Sequence, residues 1–507
     1  MLRRHSLRVA AATAAAVALL AWPASAGIDS VGTPGIGDEY HPNDGNGGYD
    51  VSHYDIRLKY QPASDTLTGT TTIVAAATQD LTRFNLDFAL PVKSVRVNGA
   101  KASFTQTPEA ELVVTPGRLA AKGSLLTVVV EYEGVPSTVK INGQTLWKRT
   151  SDGATAINEP HIARWWYPSN DHPTDKATFD ISVAVPTGVE VLSNGSLKSR
   201  AVQPGGWTRW NWRSTKPMAT YLAFLTIGQF EIHQSTGHKG QPFITAYSEG
   251  LGEFEGAAKA SLERTPEVIE FLETVFGEWP FEAQGGVVPK EGLTFALENQ
   301  TRPTYATGFF RNGTNVNVVV HELAHQWFGD SVSVAKWRNI WLNEGFATYA
   351  PWLWSEHKGE GTAQEWFDFT YARYAENDPF WQVVIGEPGS GNEFHGAVYD
   401  RGAMALHAIR KTVGDQVFFQ TVKTWTENKK YGNATIEEFK ALAEVLSGKK
   451  LDEVFNTWLF TKGKPKLNPE VSTQGTERAP KVKEPKNAKK AIENQQILHD
   501  LSARAGK

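Results

Sequence analysis

The chain is 507 residues long, 40% hydrophobic and 11% aromatic, with a formal net charge of −4. That is enough apolar material for a large core and at least two domains, and the charge balance argues against a nucleic-acid partner. The absence of cysteine excludes a cysteine nucleophile, a thiolate metal site and a lipidated cysteine anchor.

Arg3, Arg4 and Arg8 precede an apolar run from Val9 to Trp22, and Ala24-Ser25-Ala26 supplies the small residues a signal peptidase cuts after. Residues 1–26 therefore read as a secretory signal, with an apolar part too short to span a bilayer. No later segment is long and apolar enough to do so, so the mature chain is expected to be secreted, with no transmembrane segment. Residues 27–48 are rich in Gly, Pro, Asn and Asp and read as a linker.

From 49 to 245 the pattern is that of strands. Tyr54, Ile56, Leu58 and Tyr60 alternate with His53, Asp55, Arg57 and Lys59, the period of a half-buried strand. Val95-Arg96-Val97 runs into Asn98-Gly99, a hairpin signal. Leu125–Tyr132 and Ile181–Val185 are further β-rich runs. Together they predict a large N-terminal β domain without a catalytic motif of its own.

From 246 to 467 helical spacing dominates. Ala257–Phe276 predicts a helix, and so does the run carrying His321-Glu322-Leu323-Ala324-His325. Thr435 and Glu438 form a capping box before Phe439, Leu442, Ala443 and Leu446. Leu451, Val454, Phe455 and Trp458 repeat the pattern until Gly463 and Pro465 stop it. Residues 468–507 are polar and Lys-rich and predict a disordered tail.

The chemistry concentrates in one place. On a helix, residues four apart lie almost above one another, so His321 and His325 can present two imidazoles to one metal ion. Glu344, in Trp341-Leu342-Asn343-Glu344-Gly345-Phe346, supplies a third ligand on a second helical segment. Two His and a Glu leave a zinc ion one open position for water, and Glu322 stands beside that position to take a proton. Apolar flanks, Val318–Val320 and Trp327-Phe328, place these polar groups in a buried setting, where they need a reason to be.

The string from His321 to Tyr349, HELAHQWFGDSVSVAKWRNIWLNEGFATY, resembles the aminopeptidase N family of zinc peptidases, a gluzincin group. The resemblance implies an α+β fold: a large, saddle-like antiparallel β domain followed by a thermolysin-like, mainly helical catalytic domain. It implies one zinc ion on His321, His325 and Glu344, with Glu322 as general base. Phe295-Ala296-Leu297-Glu298-Asn299 is similar to the family's Gly-Ala-Met-Glu-Asn motif, which implies that Glu298, with Ala296, meets the free amino end of a peptide substrate. Alternation along an extended strand would turn Ala296 and Glu298 to the same side.

Tyr399-Asp400-Arg401-Gly402-Ala403 resembles the segment whose Tyr stabilises the tetrahedral intermediate, so Tyr399 is implied in that role. Glu159 stands where many relatives carry a Gln that helps bind the amino terminus. The stretch Glu159–Phe179, with Arg164, Pro168 and Asp171, is similar to the family's link toward the active site. Thr348, one turn after Glu344, is expected either to orient a zinc ligand or to bond a backbone carbonyl. His161, His172, His395 and His407 have no ligand spacing and default to structural roles. Two other classes stay open at this point: a thermolysin-type zinc endopeptidase, and a catalytically silent binding module on the same scaffold.

Overall fold

The computed structural model describes residues 30–467 and 483–499; residues 1–26, read as a signal, lie outside them. Its N-terminal part is built on an eight-stranded sheet. The strands run in the order Ser196–Gln203, Trp207–Met218, Ala177–Pro186, Tyr49–Gln61, Thr66–Ala77, Leu125–Gly134, Val92–Val97 and Ala100–Lys101. Every neighbouring pair is antiparallel except Tyr49–Gln61 with Ala177–Pro186. Tyr54, Ile56, Leu58 and Tyr60 all face the core, as their alternation demands. At Asn98-Gly99 both residues have positive φ (50° and 80°), and Val97 pairs with Ala100. That is the geometry of a type I′ hairpin.

A second, five-stranded sheet joins the two halves: Phe230–Thr236, Pro242–Ser248, Gln284–Val288, Thr304–Tyr305 and Ala296–Leu297. The expected division at 245/246 falls inside one of its strands, because Pro242–Ser248 pairs in parallel with Gln284–Val288. The helices that follow are α1 (Glu255–Leu262), α2 (Thr265–Phe276), α3 (Val316–Ala324), α4 (Trp341–Lys358) and α5 (Ala363–Arg373). After them come α6 (Gly396–Val413), α7 (Asp415–Asn428), α8 (Ile436–Ser447), α9 (Asp452–Phe455) and α10 (Ala488–His499). The single helix expected over 257–276 is two: Pro266 lacks the N–H needed to continue the first and starts the second instead. Thr435 and Glu438 form the capping box of α8.

Two expectations at the ends are corrected. The stretch expected to be a linker is folded onto the body from residue 30, with Asp38, Asp44 and Asn46 buried. An Asp38 carboxylate oxygen accepts from the Trp337 amide at 2.9 Å, and the Tyr40 hydroxyl accepts from the Gly389 amide at 2.8 Å. Its turn-forming composition serves compact turns and side-chain caps here. Within the tail expected to be disordered, residues 488–499 form α10. That helix buries Ala488 and Asn494 and packs Ile497 against the core.

Candidate metal centre and active site

Helix α3 brings His321 and Glu322 into the core, and His325 follows at its C-terminal cap. The Asn315 side chain caps its first turn, accepting from the Val318 amide. Helix α4 packs against it and supplies Glu344 from its first turn. All four side chains are buried.

His321 Nε2 and His325 Nε2 lie 3.2 Å apart. Glu344 Oε2 lies 3.5 Å from the first and 3.4 Å from the second. His325 Nδ1 is 3.0 Å from the Phe328 carbonyl, and His321 bonds the Ala347 carbonyl. A carbonyl only accepts, so each ring keeps its proton on that side and turns a bare Nε2 lone pair inward. Three acceptors converging this closely repel unless a cation sits among them. A tetrahedral zinc ion with bonds near ~2.05 Å spaces its ligands ~3.3 Å apart, and the trio matches that spacing.

The ionisable groups of the trio also bias one another. Burial alone would push the Glu344 carboxyl up, but the His325 and His321 imidazoles hold it down at about 2. His325, despite burial, is held well above its ordinary value by Glu298 and Glu344. Glu322 Oε1 has no hydrogen-bond partner within the protein. Burial, reinforced by Glu298 and Glu344 against the pull of His325, keeps its carboxyl well above the usual range. Glu298, Glu322 and His325 also form a compact donor group, their ligand atoms within 4.8 Å of one another.

Glu298 follows directly on the two-residue strand Ala296–Leu297, which pairs with Thr304–Tyr305. The strand ends before Glu298, so strand alternation does not relate it to Ala296. Its carboxylate accepts from the Tyr221 hydroxyl at 3.4 Å, and its carbonyl from the Gln326 amide at 2.7 Å. Glu159 is 3% exposed and has an unpartnered carboxylate oxygen. Burial, then Glu298, raises its pKa well above the ordinary value. Tyr399 sits in the first turn of α6, its ring stacked on that of His321 at 6.1 Å. It hydrogen-bonds Glu344, and burial followed by the nearby carboxylates raises its phenol well above 10, so it stays a donor.

Other expected residues stand elsewhere. Thr348 makes neither of the bonds expected of it: its hydroxyl has no partner in the protein, and the Ala347 carbonyl orients His321 instead. Arg164 reaches Asp171 at 3.0 Å, Asp44 at 2.7 Å and Asp87 at 3.3 Å. His161 bonds Asp44, His172 bonds Asp38, His395 caps α6 and His407 bonds Tyr349. Two contributors carried no signal on which to single them out. Tyr221 comes from the β domain. Asp330 lies within the quoted string, and both of its buried carboxylate oxygens lack partners; burial, then Glu298, raises its pKa well above the ordinary value.

A β domain joined to a helical domain, with two His and a Glu around one point and a free carboxylate beside them, defines a metallohydrolase of the zinc-peptidase class. Comparison with known proteins agrees. Residues 51–222 match the peptidase M1 N-terminal domain and residues 261–458 the peptidase family M1 domain. Aminopeptidase M1 of Arabidopsis thaliana is 26% identical over 462 residues, covering 82% of this chain and 51% of the relative. The mitochondrial aminopeptidase 2 of Saccharomyces cerevisiae is 30% identical over 358 residues, 66% of this chain and 36% of the relative. The chain spans about half the length of the curated relatives it matches.

The M1 zinc metallopeptidase of Deinococcus radiodurans superposes with a TM-score of 0.76 at 29% identity, over 88% of this chain and 100% of that one. A variant of it with a Tyr-Ser-Ala substrate bound gives 0.75 at 28%, over 86% and 99%. The chain belongs to peptidase family M1.

Proposed function

We propose that the chain is an exported, zinc-dependent aminopeptidase that hydrolyses the first peptide bond of substrates with a free amino terminus. The observation that carries this reading is the donor set of His321, His325 and Glu344, flanked by Glu322 and by the buried acids Glu298 and Glu159. When bound there, zinc supplies a Lewis acid that lowers the pKa of water and polarises a carbonyl. Glu322 takes the proton of the attacking water on its carboxylate and hands it to the nitrogen of the departing amine. Tyr399 donates its phenol proton in a hydrogen bond to the oxygen on which negative charge develops. Glu298 and Glu159 hold the substrate ammonium one residue from the scissile carbonyl, so that one residue leaves at a time.

A panel of aminoacyl-fluorophore substrates assayed with and without chelator tests the metal dependence. A peptide and its N-acetylated twin test the anchor: the free amine should be cleaved and the blocked one ignored. Equal cleavage of both would favour a thermolysin-type endopeptidase. Export is supported by the charge and apolar pattern of residues 1–26. The mass of the protein recovered from culture medium tests it, the expected amino terminus being Gly27.

A further inference from the structure

Outside the catalytic trio, a second group of donors converges where distant stretches of the chain meet. His41 and Asp44 come from the folded segment that precedes the first strand, and His161 from the stretch that carries Glu159. One ligand atom from each lies within 4.8 Å of the other two, and the two imidazoles meet edge to face with centroids 5.2 Å apart. Arg164 presents Asp44, donating to its Oδ1 at 2.7 Å and leaving Oδ2 2.8 Å from His161 Nδ1. A fourth residue, Glu393 in the loop before α6, sets its Oε1 3.1 Å from His41 Nε2.

The group carries the marks of the trio in looser form. Asp44 and Glu393 are buried, and neither Glu393 Oε1 nor His41 Nε2 makes a well-aligned hydrogen bond within the protein. Glu344 Oε2, a ligand atom of the trio, is orphaned in the same way. Buried polar atoms are ordinarily paired, so acceptors gathered like this have a cation as their natural complement. The side chains of His41 and His161 are 19% and 26% exposed, which gives an ion a way in and the rings freedom to close on it. Closing is needed, because a tetrahedral zinc ion spaces its ligands ~3.3 Å apart. The trio already has that spacing and this group does not, so binding here is the weaker of the two. Two imidazoles suit zinc and its transition-metal neighbours, whereas calcium and magnesium take oxygen ligands.

We propose that His41, Asp44 and His161 form a second site for a zinc-class divalent cation, with Glu393 reinforcing His41. The ion staples the segment before the first strand to the stretch that carries Glu159. A carboxylate on a ligating imidazole makes the ring a better donor, and its loss costs about 10–100-fold in metal affinity.

Zinc titrated calorimetrically into metal-stripped protein should show a tight event and a weaker one, with elemental analysis finding two ions per chain at saturation. His41→Gln and His161→Gln should each remove the weaker event alone, and Glu393→Gln should weaken it about 10–100-fold. His325→Gln should remove the tight event and leave the weaker, so failure of the trio and failure of this site are read separately. Amide hydrogen exchange across residues 38–46 should slow as the second ion binds. Should one histidine variant fail to fold, the other carries the comparison. A single event, or a second that both histidine variants leave unchanged, overturns the site and leaves a hydrogen-bonded pair of histidines. A second ion that brings no slower exchange overturns the staple.

Discussion

Glu159→Gln isolates the charge of one buried acid while keeping its size. Burial first, then Glu298 and Glu344, hold its folded pKa well above the ordinary value. A raised carboxyl pKa means that the folded protein keeps a proton the unfolded chain releases. Stability therefore falls as pH rises from the unfolded pKa, ~4.3, toward the folded one. Each pH unit in that window costs ~1.4 kcal/mol. The penalty is absent below pH ~4, grows above it, and stops growing once the folded pKa is passed.

The substitution removes that penalty. By scanning calorimetry of metal-free protein, the variant should melt close to the parent at pH 5 and a few degrees above it at pH 7. KM for free-amine peptides should rise, because one of two charges facing the ammonium is gone. A gain of equal size at both pH values, or a variant less stable at pH 7, would refute the view of Glu159 as an uncompensated buried acid.

Glu322→Gln should lower kcat by ~10²–10⁴-fold while elemental analysis finds the zinc content of the parent; retained turnover would remove Glu322 as the base. Tyr399→Phe should cost ~10²-fold or more in kcat with KM little changed, and steady-state kinetics showing the loss in KM alone would contradict its role at the oxyanion. Arg164→Met strands Asp44, Asp87 and Asp171, all buried. It should destabilise the protein by ~3–5 kcal/mol in urea unfolding, with part of the loss returned by a second change, Asp44→Asn.

Where a feature depends on neighbours in the chain, the residues alone locate it. His321 and His325 share a face because one helical turn separates them, and Tyr54 through Tyr60 point inward because a strand alternates. Glu344 was legible because it sits in its own recognisable helical string. Features made by distant partners were not. Asp38 and Tyr40 look like linker residues until Trp337 and Gly389 arrive beside them. Asn494 looks like a solvated tail residue until Asn315 pairs with it. Tyr221 has no local mark at all, since only the fold sets its hydroxyl against Glu298.

The charges of the site then explain why such a costly arrangement is kept. Five buried carboxyls, Glu159, Glu298, Glu322, Asp330 and Glu344, surround the imidazoles of His321 and His325. The nearby Lys176 directs its ammonium to the carbonyls of Asp330, Ser331 and Gly432. Acids packed this closely cannot all ionise unaided. A divalent cation at the trio and an ammonium at Glu298 and Glu159 add three positive charges where they are lacking. Each would lower the pKa of the acids it faces, and the cation in particular would return Glu322 toward the ionised form that a base requires. The centre is therefore arranged so that its two proposed ligands, by arriving, set the protonation of the group that acts on them.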